Sequence, residues 1–444
     1  MPEKIQYNQF FNKLVGYVKK RIVMTFGLCT DLYELTMLQS YLENQKDKQS
    51  VFSLFVRELP QQRNYLVSCG LETMIQSVLS YSFSLKDILY LRSLHLFSED
   101  LIRYLEDYRF CGDIYAVPEG RIVFANEPII QVEGNLLECQ VLETLILNII
   151  HHQTLIASKS VRSVAVSKGR NIIDFGLRRA HSLESGLYGA RAAYITGFFG
   201  TSNLEAGIRF GIPVYGTMAH SYILSFQTEE EAFRAYIRSF PDNPVLLIDT
   251  YDTIQAAHLV VRLIQEGQKV TAVRIDSGDI PQIVRTVREI FDTHGLIDLK
   301  ILVSGGVDEY DIDRWVTDDV PIDSFAVGTC IITSSDQAYL EMAYKLVEYD
   351  GEPKVKYSPR KVTFPYKRQI VRRYQNGQML SDEVVRYGTE SDGDCLVEQV
   401  VKNGELLRPH PSLEEIRMRC THDRALLPEG ADRLDRQGYL VRVV

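Results

Sequence analysis

No run of apolar residues in this chain is long and unbroken enough to cross a bilayer. The most apolar helical stretch, Val141 to Ala157, is interrupted by Glu143, Asn148, His151, His152 and Gln153, whereas a span needs about 20 mostly apolar residues. The opening MPEKIQYNQFFNKLVGYVKKR has no continuous apolar segment and no small-residue cleavage site, so no secretory signal is read there. Cysteine is scarce and has no paired pattern. Seven residues (Cys29, Cys69, Cys111, Cys139, Cys330, Cys395 and Cys420) are scattered without C-x-x-C spacing. That excludes a disulfide framework and a zinc site and fits a reducing compartment; a cytoplasmic protein without a membrane partner is expected. A basic surplus is also missing. The 49 Lys and Arg are outnumbered by 58 Asp and Glu, a net charge of −9, which argues against a nucleic-acid partner. Local basic clusters remain available for phosphate. There is no internal repeat, low-complexity tract or Pro/Gly/Ser-rich linker, so the units are read from hydrophobic pattern alone.

At 444 residues the chain exceeds the size at which one core keeps growing, and more than one unit is expected. Residues 30–45 place Leu35, Leu38 and Leu42 at helical spacing, with Thr30 or Asp31 as the candidate cap. Residues 51–58 read as a strand, and 113–134, punctuated by Pro-Glu-Gly and Asn-Glu-Pro, as a β-meander. A helical pattern follows from about Leu136 to Lys168. The middle then changes character, with short apolar runs at 172–175, 195–199, 213–217, 245–249, 270–275, 300–304 and 323–327. Amphipathic stretches lie between most of them. Buried strands alternating with helices indicate a parallel sheet. Seven runs suit a closed or nearly closed α/β barrel, with an open sheet as the alternative. After about residue 339 β-type runs return. The expected division is an N-terminal α+β unit at 1–150, an irregular α/β barrel of about seven strands at 151–338, and a segment at 339–444 that packs back on the N-terminal unit.

Active sites of parallel barrels lie at the C-terminal strand ends. The residues that follow the seven runs are Arg178 and Arg179; Ser202 and Asn203; His220 and Ser221; Asp249, Tyr251 and Asp252; Arg274 with Asp276, Ser277 and Asp279; Ser304, Gly305 and Gly306; and Gly328 with Thr329. Glycine lets backbone N–H groups approach an anion, which makes the last two segments phosphate candidates; either alone is more often a plain turn. Arg178 and Arg274 suit a carboxylate or phosphate, or an ion pair with neighbouring acids. Asp276 and Asp279 suit ribose hydroxyls or water on Mg²⁺, and Ser277 or Asp279 equally suits the cap of the next helix. His220 shares this rim with Asp249, which could orient its ring. A histidine so placed serves as general base or as nucleophile toward phosphorus, and spacing does not choose between the two.

Taken in order, TDLYELTM (30–37), DFGLRRAHS (174–182), GFFGTSN (197–203), GTMAHS (216–221), IDTYDT (248–253), VRIDSGD (273–279), LVSGGVDE (302–309) and AVGT (326–329) resemble the nicotinate phosphoribosyltransferase family from about residue 26 to 370. The resemblance implies a homodimer with active sites at the subunit interface. It also implies a reaction of nicotinate with phosphoribosyl pyrophosphate, coupled to ATP as co-substrate, with Mg²⁺ as the expected cofactor. It assigns Tyr33 to stacking on the pyridine ring, and Thr217, Arg274 and Arg178 to nicotinate. His220 matches the phosphorylated histidine and Asp249 the acid beside it. Asp276, Ser304, Gly305, Gly306, Gly328 and Thr329 match phosphoribosyl pyrophosphate contacts.

Two departures stand out. Pro365 is followed by Tyr366 where relatives carry glycine, which bears on any phosphate role of Lys361 or Lys367. His181 replaces a glutamine. The acid-free basic run from Lys354 to Arg373 reads first as a solvated hairpin face. Rival readings are an enzyme for nicotinamide or quinolinate, a silent nucleotide-sensing relative, and an unrelated barrel lyase. The paired arginines of DFGLRRA favour an acid substrate, and no lysine ends a strand run to form a Schiff base.

Overall fold

The structure, a computed structural model, describes residues 26–356 and 363–444. The N-terminal segment MPEKIQYNQFFNKLVGYVKKR and Lys361 lie outside the described residues. Two compact units emerge, one formed by the chain up to Ser158 together with Tyr339–Val444, the other by Lys159–Ala338. The division falls inside the continuous helix Glu143–Val166 rather than at 150/151, a place that no helix breaker marks in the sequence.

In the first unit the strand Gln49–Val56 is buried along nearly its whole length. It pairs antiparallel with Ile130–Asn135 on one side and with Met342–Tyr349 on the other, so the C-terminal segment contributes an inner neighbour. The stretch 113–134 is not a simple meander. Asp113–Ala116 pairs with Ile130–Asn135, while Ile122–Val123 leaves that sheet to pair with Leu66–Val67. The helix Leu32–Glu43 turns Leu35 and Leu38 into the core. Neither proposed cap acts as one. Asp31 makes no capping bond, because its carboxylate accepts from Thr144, and the Thr30 hydroxyl donates to Glu34.

Tyr366 has φ +66°, a left-handed conformation open to glycine and costing other residues about 1–2 kcal/mol. The Arg386 guanidinium lies 4.2 Å from its ring centroid, a contact glycine would lack. Lys367 is engaged by Glu133 at 2.6 Å and sits 3.8 Å from the Tyr115 ring centroid, so it is committed to structure.

The second unit is a parallel sheet flanked by helices. Its strands run in the order Gly200–Thr201, Asn171–Asp174, Ser324–Val327, Lys300–Val303, Ala272–Ile275 and Val245–Leu247. All neighbours are parallel, so every strand delivers its C-terminal end to the same rim. Val214 adds an isolated parallel bridge to Thr201 at the Gly200–Thr201 edge.

Two of the seven expected runs are therefore not full strands. The run 195–199 is the end of the helix Leu183–Ile195 followed by a turn through Gly197 at φ +120°. Its apolar residues Ile195 and Phe198 are buried there, which explains an apolar signal without a strand. The run 213–217 begins with Pro213, which has no N–H for a ladder, and contributes Val214 alone.

Candidate active site

Arg274, on the strand Ala272–Ile275, organises the rim. Its Nε donates to Ser304 Oγ at 2.8 Å, Nη1 to Thr217 Oγ1 and the Met218 carbonyl at 3.1 Å each, and Nη2 to Asp276 Oδ1 at 2.5 Å. A guanidinium has five N–H donors, so one, on Nη2, remains for a ligand. Three separate loops are tied to one planar cation. The Ser304 hydroxyl also donates to Asp276. Burial opposes ionisation of Asp276, but the Ser304 hydroxyl and the Arg274 charge outweigh it and hold the carboxyl below its ordinary range.

Around this node lies a cleft lined by Phe175, Arg178, Arg179, Arg274, Asp276, Ser304, Gly305, Gly306, Ala326, Gly328 and Thr329. Six of these, Asp276, Ser304, Gly305, Gly306, Gly328 and Thr329, are the positions that the resemblance assigned to phosphoribosyl pyrophosphate. Gly305 and Gly306 have φ +87° and +75°, a backbone conformation open to glycine, and carry no side chain to keep an anion away from the main chain. At Gly305 a Cβ would lie 1.7 Å from the Asp276 carbonyl oxygen, so only glycine fits. Arg178 and Arg179 sit in the short turn Leu177–Arg179, both exposed. Among the described residues neither enters a salt bridge, which leaves two guanidinium groups free for an anion.

Phe175 and the buried Asp174 behind it were missed by reading strand ends as polar residues only. Asp174 accepts from Thr201 Oγ1 at 2.6 Å and from the Gly176 N–H at 2.8 Å, locking the turn that presents Phe175. The Arg274 guanidinium carbon stands 5.5 Å from the Phe175 ring centroid, a cation–π distance. The DF of DFGLRR was the available signal.

His220 opens the short helix His220–Leu224, its side chain 41 % exposed, with Nδ1 3.1 Å from Thr250 Oγ1. Asp249 is nearly buried, and its Oδ1 lies 3.9 Å from His220 Nε2 without a hydrogen-bond partner. Nearby, Glu229 has an unpartnered buried Oε1. Burial first, then the Asp252 and Asp249 charges, raise its carboxyl to about 7. Of the two cap candidates Asp279 serves, accepting from the Gln282 N–H, while the Ser277 hydroxyl donates to Asp249; Asp252 also caps its helix, accepting from the Ile254 and Gln255 N–H groups. His181 is exposed before the Ser182-capped helix. All these groups belong to the second unit. Tyr33 belongs to the first, on the Leu32–Glu43 helix, 46 % exposed.

Among the described residues no group of three or more His, Cys, Asp and Glu side chains is arranged to hold a metal ion, and no helix is long and apolar enough to cross a membrane.

Comparison with known proteins places this geometry in a family. Residues 28–151 match the nicotinate phosphoribosyltransferase (NAPRTase) N-terminal domain, and residues 170–362 match the nicotinate phosphoribosyltransferase (NAPRTase) family. The chain is 40% identical over 417 residues to nicotinate phosphoribosyltransferase pncB2 of Mycobacterium tuberculosis, covering 93% of this chain and 90% of that protein. It is 39% identical over 359 residues to the nicotinate phosphoribosyltransferase of Bacillus subtilis, covering 78% and 73%. The fold is that of human nicotinic acid phosphoribosyltransferase, with TM-score 0.84 at 24% identity over 93% of this chain and 97% of the other. Similarity at this level over nearly the whole length means that the chain belongs to the nicotinate phosphoribosyltransferase family.

Proposed function

We propose that this protein is an ATP-coupled nicotinate phosphoribosyltransferase acting in the salvage of NAD, in which ATP phosphorylates His220. The pyridine nitrogen of nicotinate attacks C1 of phosphoribosyl pyrophosphate, the bond from C1 to the pyrophosphate oxygen breaks, and nicotinate mononucleotide and pyrophosphate leave. Charge develops at C1 as in glycoside cleavage. The enzyme's task is then to hold the nitrogen in line and to stabilise the departing anion.

The observation that carries this reading is the Arg274 node, which ties the Thr217 loop, Ser304 and Asp276 to one cation beside two free arginines and the glycine pair Gly305–Gly306. Phe175 offers a flat face to the pyridine ring. Thr217, the remaining Arg274 N–H and Arg178 offer donors and charge to its carboxylate. Asp276 is suited to the ribose hydroxyls, and Ser304, Gly305, Gly306, Gly328 and Thr329 to the phosphates. His220 accepts the γ-phosphoryl group of ATP: the N–P bond forms, the bond to ADP breaks, and water later releases inorganic phosphate. Phosphorylation adds about two negative charges at this rim, which shifts the relative affinities for substrates and products. Asp249 stabilises the imidazole cation of that exchange.

Mg²⁺ usually arrives on one or two carboxylates plus substrate phosphates. Asp249, with its unpartnered buried oxygen, and Asp276 fit that mode, in which the ion would neutralise phosphate charge. Tyr33, exposed in the first unit, is assigned to the site of a second subunit in a homodimer.

The deciding experiment is an assay of purified protein with nicotinate, nicotinamide and quinolinate in parallel, with and without ATP. Nicotinate is expected to be strongly preferred and ATP to be hydrolysed with turnover. Equal use of nicotinamide, or release of carbon dioxide from quinolinate, would overturn the reading.

A further inference from the structure

The two glycine segments at the rim follow different strands, yet a single substrate with several phosphates requires them at a fixed separation. Cys330 Sγ lies 4.0 Å from the Gly306 carbonyl oxygen, so they are neighbours in space. Beyond the pairing of the strands that precede them, a second link between them comes from the helix Glu143–Val166. Lys159 is 1% exposed. Its ammonium contacts both carboxylate oxygens of Glu309 at 2.7 Å and Asp336 Oδ1 at 3.0 Å. An ammonium has three donors, and all three are accounted for.

Glu309 lies three residues beyond Gly306 and opens the helix Glu309–Thr317, whose Asp308 cap accepts from the Tyr310 and Asp311 N–H groups at 2.9 Å each. Motion of Glu309 is therefore motion of the glycine pair. Asp336 ends a chain of turns that begins at Gly328, held by Ile332 N–H to Gly328 O at 3.0 Å and Ser335 N–H to Cys330 O at 3.1 Å. Motion of Asp336 is transmitted to Thr329.

We propose that Lys159 is a positioning residue that clamps the Gly305–Gly306 and Gly328–Thr329 segments at the separation phosphoribosyl pyrophosphate requires. This rests on the reading of those segments as the phosphate site.

Arg162, one helical turn on, donates to Glu309 at 2.9 Å and to the Tyr310 hydroxyl at 3.0 Å. Lys159 and Arg162 thus both meet Glu309, and Lys159 also meets Asp336. Such a network is a costly way to fill a core, because apolar residues of similar volume are often as stable or more so. Its distinctive property is geometric: the strands Lys300–Val303 and Ser324–Val327 pair side by side but end before the glycines, and three short bonds from one nitrogen tie together the loops that follow them.

The test uses the full chain and initial rates with each substrate varied at saturating amounts of the other. Lys159→Met is expected to raise KM for phosphoribosyl pyrophosphate about tenfold or more, as small misplacements of positioned groups do. KM for nicotinate and kcat should stay within about threefold. Asp336→Asn takes the charge from one arm only, at a side chain 15% exposed, and is expected to raise the same KM about threefold with no change for nicotinate. Should Lys159→Met fail to fold, Asp336→Asn decides alone. Thr329→Val, which alters a direct phosphate candidate, separates the two levels of inference. A raised phosphoribosyl pyrophosphate KM in Thr329→Val with none in Asp336→Asn or folded Lys159→Met overturns the clamp alone. No change in Thr329→Val overturns the phosphate site and the clamp with it. Equal weakening of both substrates by Lys159→Met and Asp336→Asn would make the network a general core element and also overturn the proposal.

Discussion

Asp249 keeps one carboxylate oxygen 3.9 Å from His220 Nε2 while its other oxygen is saturated, accepting from the Asp276 N–H at 3.0 Å and the Ser277 hydroxyl at 2.6 Å. The acid is thereby fixed to the VRIDSGD segment and cannot follow the histidine. At 3.9 Å there is no hydrogen bond, but a charged imidazole there gains on the order of 1–4 kcal/mol of attraction. In the proposed phosphoryl exchange, a ring that takes on charge would face this carboxylate. It also couples the histidine to the carboxylate beside Arg274.

Arg274→Lys retains the charge and loses the planar fork that serves Ser304, Thr217, the Met218 carbonyl and Asp276 together. Loss of one charge-assisted bond costs about 1.5–3 kcal/mol, so kcat/KM is expected to fall about 10- to 150-fold. Because Ser304 and Asp276 loosen with it, KM should rise for both substrates. A rise confined to nicotinate in steady-state kinetics would show that Arg274 serves the base alone.

Glu229 supplies a pH test. Burial, and then Asp252 and Asp249, lift its carboxyl from 4.5 to about 7. The folded state thus holds the proton more tightly than the unfolded chain. The associated stability is complete below about pH 4.5 and is lost as pH rises through about 7. Glu229→Gln cannot ionise, so the Tm of the variant minus that of the wild type should climb across that window. A constant difference from pH 4.5 to 8 would mean that folding leaves the Glu229 carboxyl at its ordinary value.

Much of this was legible in the sequence, and the failures have physical causes. Apolar runs ending in polar residues located five of the strands and the rim, because parallel strands buried on both faces lack alternation. The run 195–199 misled because a helix end and a buried turn carry the same apolar signal. Gly200–Thr201 is too short to register. Arg274 was legible as a cation at the rim, but not as one whose donors are largely engaged within the protein, since Thr217 and Ser304 reach it only through the fold. Lys159 and Glu309 are 150 positions apart, and no local pattern connects them.

The assignment of Tyr33 to a second subunit's site predicts complementation. Tyr33→Ala and His220→Ala chains, each inactive or weak alone, should regain activity when mixed under conditions of subunit exchange. Both lesions then fall into one site of the hybrid and leave the other whole. With equal mixing, half of the dimers are hybrids carrying one intact site, so recovery should reach about a quarter of wild-type activity per chain. Verified exchange without recovery would mean that each site is built from a single chain.

The phosphohistidine itself is tested by label transfer. Brief incubation with γ-labelled ATP is expected to give an acid-labile, base-stable label, absent from His220→Ala and His220→Asn together with ATP hydrolysis. Nucleotide formation should persist at reduced rate and high substrate, since Arg274, Phe175 and the glycine segments position the substrates without the phosphate. Asp249→Asn should slow labelling without relocating it. In the proposed mechanism Asp249 acts on the ring's charge across 3.9 Å and is not the acceptor, and by the Coulomb estimate above the slowing should be about fivefold or greater. Label on the His220→Ala protein would move the phosphate elsewhere. An unlabelled wild type whose nucleotide synthesis ignores ATP would leave the phosphoribosyl transfer standing and remove the histidine's covalent role, with Asp249 then serving only to hold the Asp276–Ser277 turn.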